Sequence, residues 1–184
     1  MAKLDFILFG ATSFVGQILA RYMSELNTED EVNWAMAGRS LNKLEKLKAS
    51  LGASAGDIEL IVADAQDEND LTQMCLKTKV VISTVGPYAL YGETLIKACV
   101  ATGTDYCDLS GEPQWIAKML EKYEDSAEIS GARIVNCCGF DSIPSDLGVY
   151  FLQRQSQLEF EQPCSQVLMR VKSMKGAASG GTIA

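Results

Sequence analysis

The chain contains no histidine, which removes the commonest general acid and base and the commonest metal ligand at once. It has no Tyr-x-x-x-Lys, so the tyrosine-lysine pair of the short-chain dehydrogenases is absent. Its six cysteines (Cys75, Cys99, Cys107, Cys137, Cys138 and Cys164) form no C-x-x-C pair, and two of them adjoin. That spacing suits neither a zinc site nor a small disulfide scaffold, so no metal is expected, and free, mostly buried thiols of a reducing compartment are. Positive charge is scarce: 16 Lys and Arg stand against 24 Asp and Glu, a formal net charge of -8. An extended face for nucleic acid or for an anionic membrane is thereby excluded, and any phosphate must be held locally. No apolar run approaches the roughly 20 residues of a membrane-spanning helix. Asp5 and Gly10 interrupt the apolar run after Lys3, which argues against a secretory leader. A soluble, cytoplasmic protein is expected.

What the chain does have is regular alternation. At 184 residues and 47% hydrophobic content it can bury a full core. Apolar runs that fit buried strands occur at Phe6 to Phe9, Val32 to Ala37, Ile58 to Ala63, Val80 to Val85, Tyr106 to Leu109 and Ile134 to Cys138. Between them lie helical spacings: Phe14, Val15, Ile18, Leu19, Tyr22 and Leu26; Leu41, Leu44, Leu47 and Leu51; Leu95, Ile96, Cys99 and Val100; Ile116, Met119, Leu120 and Tyr123. Strands alternating with helices predict a doubly wound α/β domain, a mostly parallel sheet with helices on both faces, over residues 1–150. After about Phe151 the pattern weakens. "QRQSQLEFEQPCSQ" reads as a polar connector and "VLMRVKSM" as one strand of something new, so 151–184 is expected to be a connector and the start of an incomplete substrate domain.

The first strand runs into the first helix through "FGATSFVG". Gly10 permits a tight turn and Gly16 close packing of helix on strand, while Ser13 stands where a middle glycine is usual and offers a hydroxyl instead. Backbone N–H groups at the helix start, around Thr12, Ser13, Phe14 and Val15, would face a pyrophosphate, which the helix dipole also favours. The second strand ends in "AGRSLNKL", with Arg39, Ser40 and Lys43 where a site preferring an unphosphorylated ribose carries an acidic residue. A guanidinium fork binds phosphate oxygens in pairs, so the cluster predicts NADP(H), NADPH in preference to NADH. Asp64 closes the third strand, where it either accepts from an adenine amino group or caps the next helix. Thr84, Val85, Gly86 and Pro87 close the fourth and are placed to form a wall of the cleft. Polar candidates for chemistry follow the later strands: Tyr88 and Tyr91, then Asp108, Ser110 and Glu112, then Asp141 and Ser142. Tyr88, Asp108 and Asp141 are the catalytic candidates. Loop Asp and Ser residues equally cap helices, as Ser145 or Asp146 would after Pro144.

Five segments in register, "FGATSFVG", "AGRSLNKL", "STVGPYALYGETLIKAC", "GTDYCDLSGE" and "CCGFDSIPSDLG", resemble the saccharopine dehydrogenase-like oxidoreductases, including the trans-acting enoyl reductase branch. "ASGGTIA" also looks like a family segment. The resemblance covers Leu4 to about Gly148 and implies an NAD(P)-binding Rossmann domain followed by a substrate domain. It implies hydride transfer to a small or lipid-like substrate, a homodimer through the second domain, and an amino-terminal portion of a longer protein. Two other readings stay open: a non-catalytic NADP(H)-binding sensor or interaction module, and a methyltransferase, which would want a carboxylate where Arg39 stands.

Overall fold

The computed structural model describes residues 4–26 and 32–173. Strands β1 (Leu4–Phe9), β2 (Trp34–Gly38), β3 (Glu59–Val62), β4 (Thr78–Ser83), β5 (Asp105–Asp108) and β6 (Ile134–Val135) form a six-stranded sheet in the order β3-β2-β1-β4-β5-β6. Every neighbouring pair is parallel. Helices α1 (Phe14–Leu26), α2 (Leu41–Ser50), α3 (Glu68–Leu76), α4 (Tyr88–Tyr91), α5 (Glu93–Thr102) and α6 (Pro113–Ser130) fill the crossovers, and α7 (Ile143–Phe160) follows β6. This is the expected doubly wound α/β architecture.

A parallel sheet covered on both faces needs apolar side chains at successive strand positions, and β1 meets this with Phe6, Ile7, Leu8 and Phe9 all buried. Ile7 and Phe9 point into one layer with Ala35, Ala37, Val81 and Tyr106, beneath Leu71, Met74, Leu95, Ile96 and Cys99 of α3 and α5. Phe6 and Leu8 point into the other with Trp34 and Met36, beneath Ala20 of α1 and Leu44 and Leu47 of α2. Each such large apolar side chain contributes about 1.5–3 kcal/mol by leaving water. The chain reverses its direction of winding at β1, which lies between β2 and β4. In open α/β sheets the crevice for a ligand opens outside the carboxyl ends at such a point.

The structure departs from the sequence expectations in four places. Of the expected stripe, Phe14, Ile18, Tyr22 and Leu26 face solvent, each more than half exposed, while Val15 is half-buried and Leu19 packs against the core. Gly16, Ala20 and Ser24 are buried on α1 instead. Close approach of helix to strand selects small side chains and displaces the large ones outward. The segment expected as a connector from residue 153 is helical through Phe160, with Pro163 lying beyond the helix end. Residues 167–173 form no strand, and "ASGGTIA" lies outside the described residues. The cap of α7 is Ser142, with no side-chain bond, while the Ser145 hydroxyl donates back to the Ser142 carbonyl.

Candidate functional site

Gly10 has φ +83°, the left-handed region, and a Cβ there would lie 2.7 Å from Thr84 Oγ1 and from Val85 Cγ2. Gly16 faces the turn so closely that a Cβ would lie 2.2 Å from the Gly10 carbonyl oxygen. The glycines thus do what the spacing suggested. Ser13 does something else. The Thr84 hydroxyl donates to the Gly10 carbonyl at 2.9 Å, so the Ser13 hydroxyl, 2.9 Å from Thr84 Oγ1, is the donor between them. Ser13 Oγ in turn accepts from the Gly16 N–H at 2.9 Å. Its proton is directed inward, bracing the turn against β4 rather than toward a phosphate. Among the described residues no protein atom accepts from the backbone N–H groups of Thr12, Phe14 or Val15, which leaves three donors at the amino end of α1, where the helix dipole also favours an anion.

At the end of β2, Arg39 and Lys43 are exposed, and neither side chain has a hydrogen-bond or ion-pair partner among the described residues. Ser40 caps α2 by accepting from the Lys43 N–H. Asp64 Oδ1 accepts from the Gln66 N–H at 3.0 Å, and the cap of α3 is Asp67. The capping alternative for Asp64 is therefore taken by a residue three positions on, and Asp64 lines the cleft.

The candidates after β4 and β5 are largely engaged with the protein itself. The Tyr88 side chain is buried; its hydroxyl donates to the Ser83 carbonyl at 3.1 Å and accepts from the Leu109 N–H at 3.2 Å. Burial pushes that hydroxyl far above the ordinary tyrosine range. Asp108 is 1% exposed. Its Oδ1 accepts from the Ser110 N–H and hydroxyl and from the Cys137 N–H, and its Oδ2 from the Tyr106 hydroxyl and Asn136 Nδ2. With five donors it knots the ends of β5 and β6 together, and Cys137 is held at φ 59°. Glu112 accepts from the Tyr88 and Ala89 N–H groups, both at 2.8 Å. Asp141 is exposed, its carboxylate beside Gly111 and Gly139. Two thiols, Cys75 and Cys99, are fully buried with their sulfurs 3.6 Å apart, and the other four are half-buried and free.

A cleft of about 260 Å³ opens at the carboxyl ends of β1, β2 and β4. Gly10, Thr12, Ser13, Arg39, Asp64, Thr84, Val85 and Gly86 line it. Phe14, Val15, Gly16, Ser40, Lys43 and Pro87 are not among the lining residues. Phe9, Gly38, Ala65 and Tyr91 complete the walls. Of these, Gly38 and Ala65 were readable only as small residues at or just past strand ends. Tyr91 is the phenol of the pair after β4 that reaches the cleft. Tyr88, Asp108 and Asp141 do not line it. Among the described residues no helix is long and apolar enough to cross a membrane.

The family model for the saccharopine dehydrogenase NADP binding domain matches residues 6–135. A trans-acting enoyl reductase of Mycobacterium ulcerans is 38% identical over 183 residues, which are 99% of this chain and 43% of that protein. A lipid droplet localized protein of Caenorhabditis elegans is 40% identical over 158 residues, 84% of this chain and 37% of that one. The chain thus spans less than half the length of the curated relatives it matches. Apo saccharopine dehydrogenase (L-glutamate forming) from Saccharomyces cerevisiae superposes with a TM-score of 0.64 at 22% identity, over 82% of this chain and 31% of that structure. That likeness shows the fold.

Proposed function

The chain belongs to the saccharopine dehydrogenase NADP-binding domain family, and from that premise we propose that it is the cofactor-holding part of an NADP(H)-dependent oxidoreductase whose hydride acceptor is a small or lipid-like molecule. One observation carries the reading: in a chain of net charge -8, Arg39 just after β2 and Lys43 in the first turn of α2 are both exposed and, among the described residues, without an ion-pair partner. Two cations without a carboxylate are poised for a ribose 2'-phosphate, and the Ser40 hydroxyl adds a donor beside them. The Thr12, Phe14 and Val15 amides meet the pyrophosphate, and Asp64 meets the adenine amino group. Adenosine then lies over β2 and β3, and nicotinamide over β4, between Val85, Gly86 and Tyr91.

When bound, NADPH supplies the hydride, and the protein's part is to position and to hold a proton. Tyr91 lines the cleft, and its hydroxyl has no partner among the described residues, which suits it to deliver a proton to the acceptor. The names of the relatives direct the choice of acceptor toward conjugated alkenes on acyl or lipid-like molecules. The test is to mix the longer protein that carries this domain with NADPH and a panel of 2-enoyl thioesters and follow the reduced-nicotinamide absorbance. Acceptor-dependent loss, slowed about 10²-fold or more in Tyr91→Phe, is expected. Binding of NADPH with no loss across the panel would leave a non-catalytic binding module as the function.

A further inference from the structure

A short wall segment of the cleft is held from outside the cleft by one carboxylate. Gly86, in the lining, leads through Pro87 into α4, whose first two residues are Tyr88 and Ala89. Pro87, in the cap position, offers no side-chain bond to the helix start. The orphan N–H groups of Tyr88 and Ala89 are met by the two oxygens of Glu112, at 2.8 Å each, reaching across from the turn before α6. Tyr88 adds a second tie, its hydroxyl bridging the Ser83 carbonyl of β4 and the Leu109 N–H after β5. The other cleft-lining residue of this segment, Tyr91, stands on the same four-residue helix.

We propose that Glu112 is a positioning residue, fixing the Gly86–Tyr91 wall so that it fits the nicotinamide half of the cofactor while leaving the adenosine half untouched. This rests on the NADP(H) reading above. A carboxylate is the side chain for the task because both of its oxygens only accept, and two backbone N–H groups only donate. In Glu112→Gln one of the two contacts becomes donor against donor, so the wall loosens while bulk and shape stay.

Two ligands separate the halves of the cleft: NADPH, which spans it, and adenosine 2',5'-bisphosphate, which stops short of β4. Calorimetry of the wild-type protein should show both binding. In Glu112→Gln the bisphosphate affinity is expected to stay within about twofold while NADPH weakens about five- to tenfold. The fluorescence enhancement of the bound reduced nicotinamide should fall with it. Unchanged NADPH affinity, or parallel loss of both ligands, overturns the proposal. A measurement needing no variant is hydrogen exchange at the Tyr88 and Ala89 amides. NADPH should slow it and the bisphosphate should not, and equal slowing by both contradicts the assignment. Failure of the wild-type protein to bind the bisphosphate would instead strike the NADP(H) reading itself, and the proposal with it.

Discussion

The closest backbone approach in the site makes Gly16→Ala the most informative single substitution. A Cβ at this position would lie 2.2 Å from the Gly10 carbonyl oxygen and 2.9 Å from the Ala11 Cα and carbonyl carbon. All three obstacles are backbone, held by β1 and by the Gly10 and Ala11 N–H bonds to the Ala37 carbonyl, so no side chain can swing aside. Even the shortest tolerable contact requires the start of α1 to lift by about 0.8 Å. That movement opens the seam in which Ala20 is completely buried and costs about 1–3 kcal/mol as overpacking. It also carries the Phe14 and Val15 amides away from a pyrophosphate, for a loss of about tenfold in NADPH affinity. The comparison is Gly148→Ala in α7, where an added Cβ meets nothing within 4 Å and removal of a helical glycine should stabilise by about 0.5–1 kcal/mol. Urea unfolding of both variants, with calorimetric titration of NADPH, measures the two effects. A Gly16→Ala protein with wild-type stability and wild-type NADPH affinity would refute the reasoning.

Asp108→Ala should destabilise by about 3 kcal/mol or more, because it strands the buried Tyr106 and Ser110 hydroxyls and the Cys137 N–H together; an unfolding midpoint within error of the parent would contradict the knot described at the ends of β5 and β6. Alkali should destabilise the fold: burial pushes the Cys107 thiol up from 9.0 to about 11 and raises Tyr88 and Tyr106 as well, while the contact with the Cys75 thiol, together with burial, raises Cys99. The folded state therefore holds these protons more tightly than the unfolded chain, so their contribution is whole below pH 9.0 and is lost for Cys107 as the pH rises through about 11. Urea midpoints measured from neutral pH upward should be level and then decline over that window; a level profile throughout would contradict it.

The sheet and the cleft were legible in the sequence for a local reason. Strand, turn and helix succeed one another within a few residues around Gly10 and Gly16, and Arg39 follows its strand directly, so short-range chemistry sufficed. The stripe on α1 misled because apolar counting gives Phe14, Ile18 and Tyr22 weight and gives Gly16 none, whereas a helix laid tightly on a parallel strand buries its small side chains. The hydroxyl of Ser13 was readable as a donor but not as an inward one, since its partner Thr84 is 71 residues away. Tyr88, Asp108 and Glu112 carried the right chemical types for a site, and their partners lie across crossovers that no spacing rule reveals. The helical residues after 153 lacked a clear apolar period because little of α7 is buried; Ser156 alone of its described residues is.

On the NADP(H) reading, Arg39 and Lys43 grip a 2'-phosphate. Paired calorimetric titrations of NADPH and NADH into the wild-type protein and Arg39→Ala test it most directly. The wild type should prefer NADPH by about tenfold or more, and the substitution should weaken NADPH by about 1–3 kcal/mol while leaving NADH nearly unchanged. Equal affinities in the wild type, or equal losses for both dinucleotides in the variant, would contradict it.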